Sequence, residues 1–213
     1  STKAEMDRAA RQAQALAREA KDLRELLAAI ERERATRIAL TPPRPPARKK
    51  ARPPAGSAQV AGLPQVRPPA PLPPAGLRIS RARGRLVTPV IGRVAVAFGA
   101  REEAGAAKGV RFETAEGAQV LAPFGGEVVF SGPFRGYGPL LIIDHGEGYH
   151  SLLAGLDRID ADVGQKLLAG EPVGIMPRRG KVPLRLYMEL RRGGRPIDPL
   201  PWLAAPPNIK ARG

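Results

Sequence analysis

The stretch LYMELRRGGRPIDPLPWL, residues 186–203, decides the fold of this chain. It includes most of an apolar run, Leu184–Leu190, and then the pair Gly193-Gly194, which is typical of a turn after a strand. Short apolar runs interrupted by glycine extend back from there to Gly84, with no helix-length periodic segment. Many short strands at even spacing predict an antiparallel β sandwich or barrel. The predicted strands are Arg93–Phe98, Val110–Glu113, Gln119–Ala122, Gly126–Ser131, Leu140–Asp144, His150–Ala154, Pro172–Ile175 and Leu184–Leu190.

The residues before Gly84 form two segments of different composition. Between Met6 and Ile30 apolar residues recur in steps of three and four, which predicts one helix over residues 3–40. We interpret residues 1–40 as the end of a coiled coil; because alanines make the apolar stripe thin, an amphipathic cap on the β domain is the alternative. Residues 41–83 hold twelve prolines and predict an extended linker. We therefore expect a β domain over residues 84–204 and a tail over residues 205–213.

The positive charge belongs mainly to the predicted linker. The formal net charge is +15, and residues 41–83 contribute nine basic and no acidic side chains. A basic tether can bind any polyanion, so this charge does not indicate a specific nucleic-acid partner. No apolar run approaches the roughly 18 residues that a membrane span needs, so we expect no transmembrane segment. The chain has no cysteine, which excludes disulfides and thiolate metal sites.

A series of motifs over about 120 residues resembles one known family. The motifs are GRLVTPVIGRV (84–94), KGVRFE (108–113), EGAQVLAP (116–123), GEVVFSG (126–132), IIDHG (142–146), VGQKLLAGEPVG (163–174) and the closing stretch 186–203. In this order they resemble the LytM (lysostaphin-like) zinc metallopeptidase family. The resemblance implies a mainly β domain, an antiparallel sandwich with a duplicated hybrid motif, preceded here by the helical segment and the proline-rich linker.

The same resemblance implies that the zinc site is lost. Active members hold zinc with a His, an Asp four residues later and the second His of a His-x-His pair, and two further His act on the attacking water. The metal positions fall on Ala107, Arg111 and Tyr187 in this sequence. The catalytic histidines fall on Arg185 and near Gly155. Alanine and glycine have no donor atoms, and arginine repels a dication. We therefore expect no enzyme activity, no metal and no cofactor.

Two other kinds of site can be considered from the residues alone. His145 and His150 with a nearby carboxylate could form a new metal site, but two histidines five apart on a strand point to opposite faces. Glu113 and Glu189 could form a glycosidase pair only if they converged in a cleft. Solvated or salt-bridged strand carboxylates are the simpler interpretation.

Within the family, the chain is similar to murein hydrolase activators of the EnvC type. The similarity rests on Lys108-Gly, Gly136-Tyr-Gly, LYMELRR (186–192) and DPLPWL (198–203). It implies a periplasmic, non-catalytic activator of an N-acetylmuramoyl-L-alanine amidase in septal cell-wall splitting, with an upstream coiled coil that engages the FtsEX division complex. A peptidoglycan-binding module without activator role is the alternative, and a residual zinc endopeptidase fits less well.

The resemblance also implies which residues would bind the amidase. The metal-free groove would receive a partner segment, and charge reversal at Lys108 or Arg191 would abolish activation while the fold remained intact. Each position has a structural alternative: Tyr137 could pack its turn, Leu140 and Leu153 could be core, and Arg191 could pair with a strand carboxylate. By family position the binding residues are Lys108, Arg111, Tyr137, Leu140, Leu153, Tyr187 and Arg191.

Overall fold

A computed structural model describes residues 3, 6, 7, 11, 23–40, 76–102, 105–178 and 183–204. Within these residues there are one long helix, α1 (Leu23–Leu40), and two 3-10 helices, Ile79–Arg81 and Leu200–Trp202. Most of the predicted linker and the predicted tail, residues 205–213, lie outside the described residues. The strands are β1 (Gly92–Val96), β2 (Arg101–Glu102), β3 (Gly105–Ala106), β4 (Val110–Thr114), β5 (Gln119–Leu121), β6 (Gly126–Phe134), β7 (Gly138–Gly146), β8 (Tyr149–Ala154), β9 (Arg158–Ile159), β10 (Lys166–Leu167), β11 (Pro172–Ile175), β12 (Arg185–Arg192) and β13 (Arg195–Ile197).

The strands form a large antiparallel sheet and two small ones. The large sheet has the order β1-β4-β12-β8-β7-β6-β10, and β13 pairs with β12. The small sheets are β5-β11-β9 and the hairpin β2-β3. Every predicted strand overlaps an observed one, and the pairings between the strands named above are all antiparallel. The predicted fold class, a mainly β antiparallel structure, is confirmed.

The two faces of the large sheet carry different side chains. Because side chains alternate along a strand, Leu186, Met188 and Leu190 of β12 share one face, and the residues between them share the other. Met188 lies opposite Leu153 of β8, and both are fully buried in a cluster that also contains Val173 of the small sheet. The main core therefore lies on this first face. The second face carries Tyr187, Glu189 and Arg191.

Helix α1 packs against the second face. Leu23, Leu26, Leu27 and Ile30 are buried and belong to the same apolar cluster as the sheet. On the sheet side, His150 lies opposite Arg191 on this face, and its Nδ1 is 3.8 Å from Glu31 Oε1 of the helix. The described part of the helix thus packs on the β domain, as the alternative interpretation of an amphipathic cap would have it. The coiled-coil interpretation of residues 1–40 stays a prediction.

The packed part of the domain begins before the predicted boundary at Gly84. Ile79 and Ala82 are fully buried in a second apolar cluster with Leu86. This cluster also contains Tyr149 of β8 and Leu190 of β12. Leu86 forms a parallel bridge with Leu203, in which the Leu86 amide donates to the Trp202 carbonyl at 2.9 Å. Residues 79–82 therefore belong to the domain and not to the linker, because the turn that they form buries two apolar side chains.

Candidate partner-binding groove

A cavity of about 400 Å³ opens on the second face of the sheet, and we call it the slot. It lies between the starts of β4 and β12, the end of β8 and the turn from β6 to β7. That turn contains Gly136 and Gly138 in the left-handed region, with φ of 82° and 68°, which glycine adopts at no steric cost. The larger side chains around the slot are Glu102, Lys108, Arg111, Tyr137, Arg185 and Tyr187.

All five positions assigned to the lost metal and catalytic residues line this one slot. Ala107 and Arg111 come from the β4 side, Gly155 follows β8, and Arg185 and Tyr187 belong to β12. Residues far apart in the sequence meet because β4 and β8 both pair with β12. The fold thus brings together the five positions that the resemblance assigns to the family's metal and catalytic residues.

The residues of the slot do not fit a zinc ion. Ala107 and Gly155 offer no donor atom, and Arg111 and Arg185 bring positive charge to the place where a dication would sit. Glu102 is the one carboxylate of the lining that the structure describes, and it forms an ion pair with Arg111. Among the described residues there is no group of three or more His, Cys, Asp or Glu side chains that could hold a metal.

An aromatic wall closes one side of the slot. The rings of Tyr137 and Tyr187 are 5.8 Å apart, and the Arg111 guanidinium lies 5.5 Å from the centre of the Tyr187 ring. Phe134 backs Tyr137 at 6.1 Å. Tyr137 therefore both packs its turn and faces the slot. Aromatic rings with an arginine over them provide a large, preformed contact area.

A buried polar row continues from the slot along β12. The Tyr187 hydroxyl donates to Glu189 Oε2 at 2.5 Å, and Arg191 Nε donates to Glu189 Oε1 at 2.5 Å. Arg191 also donates to the carbonyl of Gly194 at 3.3 Å. The Glu189 side chain is fully buried and that of Arg191 is 5% exposed. Burial, followed by the adjacent Glu189 carboxylate, raises the pKa of Tyr187 far above its ordinary value, so the phenol stays protonated and holds this bond.

Four of the seven predicted binding residues line the slot: Lys108, Arg111, Tyr137 and Tyr187. Leu140 and Leu153 are fully buried, and Leu153 belongs to the first face. Arg191 lies on the second face, four residues after Tyr187, and it does not line the slot. There it forms an ion pair with Glu189. The binding role of all seven residues stays a prediction.

Two of the larger side chains that line the slot, those of Arg185 and Glu102, were not among the predicted partner contacts. Arg185 precedes Tyr187 by two positions on the same strand, so the alternation of side chains alone places it on the same face. Glu102 belongs to the short hairpin β2-β3, and nothing in the sequence indicates that this hairpin lies beside β4.

The two histidines lie on opposite sides of the sheet and share no donor set. His145 Nδ1 donates to the Gly125 carbonyl at 2.9 Å, and its Nε2 accepts from the Ser151 hydroxyl at 2.8 Å. Burial lowers the pKa of His145 from its ordinary 6.5 to about 4, so the ring is neutral and structural. His150 lies on the second face, 4.0 Å from Asp144 Oδ1 and close to helix α1.

Glu113 and Glu189 do not form a catalytic pair. Both oxygens of Glu113 accept from Arg93 Nη2 at 2.8 Å, at the edge of the sheet. Glu189 is buried between Tyr187 and Arg191. Neither carboxylate has an open side toward a shared cleft, as glycoside hydrolysis requires.

Comparison with known proteins agrees with this geometry. Residues 105–199 match the profile of Peptidase family M23, so this stretch is a peptidase M23 (LytM) domain, and it contains every slot residue except Glu102. The matched stretch covers less than half of the 213-residue chain.

Several curated relatives carry names of murein hydrolase activators or lipoproteins. The chain is 35% identical to "Murein hydrolase activator NlpD" of Escherichia coli over 116 residues, which cover 54% of this chain and 30% of NlpD. It is 33% identical to "Murein hydrolase activator EnvC" of the same organism over 97 residues, 45% of this chain and 23% of EnvC. "Lipoprotein NlpD/LppB homolog" of Pseudomonas aeruginosa is 39% identical over 97 residues, 45% of this chain and 33% of that protein. The matched regions thus span a third or less of these relatives.

Solved structures show the same fold. A structure titled "putative peptidase M23" from Pseudomonas aeruginosa superposes with a TM-score of 0.50 at 25% identity, over 65% of this chain and 56% of that one. The solution structure of lysostaphin gives a TM-score of 0.51 at 18% identity, over 62% of each chain. At these identities the lysostaphin likeness concerns the fold alone. None of the described helices is both long and apolar enough to span a membrane.

Proposed function

We propose that this chain is a non-catalytic activator of a periplasmic N-acetylmuramoyl-L-alanine amidase in septal cell-wall splitting. The observation that carries the proposal is the slot: five former metal and catalytic positions converge there, and they offer cations and an aromatic ring in place of zinc ligands. The names of the relatives NlpD and EnvC, both murein hydrolase activators, support a role on peptidoglycan hydrolases.

The slot has the chemistry of a protein-binding site. Tyrosine and arginine are among the residues that most often carry binding energy at protein interfaces, and here the Tyr187 ring contacts both Tyr137 and Arg111 at the wall of the slot. A partner segment seated in the slot would activate the amidase if the chain bound the open form of the enzyme more tightly than the blocked form. No chemistry on the peptidoglycan is then required of this chain.

The location and the further partners belong to the same proposal. Relatives named lipoproteins support an envelope location, and the periplasm is where an amidase and its peptidoglycan substrate meet. An interaction of the upstream region with the FtsEX complex is part of the proposal and rests on the resemblance alone. The strongest competitor is a module that binds peptidoglycan in the slot and activates nothing.

A dye-release assay on murein sacculi separates these functions. The chain alone is expected to release no dye, with or without added zinc, and to increase release by an amidase from the same organism. Release by the chain alone would mean that it is a hydrolase. Retention of the chain on sacculi, with amidase activity unchanged, would favour the wall-binding module.

A further inference from the structure

We propose that the slot recognises a carboxylate, with Lys108 and Arg185 as the two cations that receive it. The ligand is an acidic side chain on a segment of the partner protein, next to an apolar side chain that contacts the tyrosine wall. This inference rests on the proposed function, because it specifies the chemistry of the partner that the slot binds.

The first step of the argument is the distribution of charge around the slot. Arg111 is paired with Glu102 and also lies over the ring of Tyr187. Lys108 and Arg185 are both exposed at the slot, and neither forms an ion pair with any residue that the structure describes. The slot therefore presents two positive charges that the described part of the chain does not balance.

The second step concerns the carboxylate that lies directly opposite Arg185. In the pairing of β12 with β4, Arg185 faces Glu113. A cross-strand pair of opposite charge would ordinarily form here. Glu113 instead gives both oxygens to Arg93 of β1, at 2.8 Å each. The guanidinium of Arg185 therefore keeps its forked donors for an oxyanion from outside, and arginine binds carboxylates with such a fork.

The third step concerns the tyrosine wall. The Tyr187 hydroxyl already donates to Glu189 at 2.5 Å, and Glu189 is buried on the second face of the sheet. The hydroxyl is therefore not a donor for a ligand, and the ring of Tyr187 offers an apolar surface beside that of Tyr137. Ala107 and Gly155 also line the slot, and their small size leaves room in it for a ligand. One acidic and one apolar side chain fill such a site.

The fourth step is the choice of a protein segment as the ligand. A volume of about 400 Å³ is near the lower end of ligand pockets and suits one or two side chains. Two residues one turn apart on a helix present a carboxylate and an apolar side chain on one face. The stem peptides of peptidoglycan also carry carboxylates, so they are the competing source of the same group, and the experiment has an arm for each.

The test measures binding of the full chain to an amidase from the same organism by titration calorimetry. Arg185→Glu and Lys108→Glu are compared with Arg85→Glu, which makes the same charge change at an exposed arginine outside the slot. Reversal of a charge that contacts the partner is expected to weaken binding about tenfold or more, since like charges then meet across the interface. Arg85→Glu is expected to change the Kd less than about twofold. Arg185→Lys keeps the charge but loses the fork, so it is expected to weaken binding less than Arg185→Glu does. Far-UV circular dichroism and thermal melts check that each variant is folded.

A second arm identifies the carboxylate. Exposed Asp and Glu residues of the amidase are changed to Arg one at a time, and one such variant is expected to restore binding to Arg185→Glu. A third arm measures retention of the same variants on purified sacculi.

Three results would overturn the inference. If the unmodified chain binds the amidase, and Arg185→Glu keeps both its amidase affinity and its retention on sacculi, the slot recognises no carboxylate, while the proposed function stands. If Arg185→Glu loses retention on sacculi and keeps its amidase affinity, the carboxylate belongs to the stem peptide. If the unmodified chain neither binds nor stimulates the amidase, the proposed function fails and this inference fails with it.

Discussion

Charge reversal at Arg191 tests the buried polar row directly. The Arg191 side chain is 5% exposed and donates to Glu189, whose side chain has no exposed surface. Removal of one partner of a buried pair leaves an uncompensated charge and costs about 3–5 kcal/mol. A domain of this size has a free energy of unfolding of about 5–15 kcal/mol, so Arg191→Glu, which places a second carboxylate beside Glu189, is expected to remove a large part of that stability. The expectation from the sequence, lost activation with an intact fold, is therefore revised for Arg191.

A double-mutant cycle gives the coupling within the pair. Arg191→Met and Glu189→Gln are each expected to lower the free energy of unfolding by about 3–5 kcal/mol, measured by urea denaturation at pH 7. The double variant removes both charges, so it is expected to lose less than the sum of the single losses, by about 2–3 kcal/mol. Additive losses, or a loss below about 1 kcal/mol for either single variant, would show that the two charges do not depend on each other for burial.

Three further predictions concern other parts of the chain. The folded His145 has its pKa lowered from 6.5 to about 4, so stability is expected to fall as the pH drops from about 6.5 to about 4, by about 3 kcal/mol in total. His145→Asn should lose this part of the pH dependence in urea titrations at pH 7 and 4.5; an unchanged pH dependence would contradict it. Leu27→Ala in helix α1 is expected to cost about 2–5 kcal/mol, which thermal melts would detect, because the side chain is 1% exposed. A loss of stability near zero would contradict this prediction, because it would mean that Leu27 is exposed. Tyr187→Phe should lower the free energy of unfolding by about 1–3 kcal/mol in urea titrations, because it leaves a Glu189 oxygen unsatisfied; an unchanged free energy of unfolding would contradict this.

The strands of the large sheet could be predicted because their information is local. The apolar run before Gly193-Gly194 and the similar runs upstream mark strands by composition, and the observed bounds differ from the predicted ones by few residues. The beginning of the domain could not be predicted in the same way. Ile79 lies between Arg78 and Ser80 and belongs to no apolar run, and its burial depends on contact with residues such as Leu86 and Trp202.

Some residues of the candidate site could also be predicted from the sequence, and others could not. Lys108, Arg111, Tyr137 and Tyr187 could be placed at the slot because the motifs keep their order and the resemblance carries each position. Arg191 has the same alternation on β12 as Tyr187, so the sequence alone cannot tell which of them faces the slot. The structure shows that only Tyr187 lines the slot, because the Arg191 guanidinium is buried and donates to Glu189.

The sequence by itself determined the fold class and the absence of zinc-binding side chains at the family positions, because strand formation is local and donor atoms belong to residue type. The tertiary structure decided which charges are already paired. Glu102, Glu113 and Glu189 are occupied by Arg111, Arg93 and Arg191, while Lys108 and Arg185 remain exposed at the slot. Ion pairs depend on distances of a few ångströms between residues far apart in the chain, so only the folded sheet shows which cations are available to a partner.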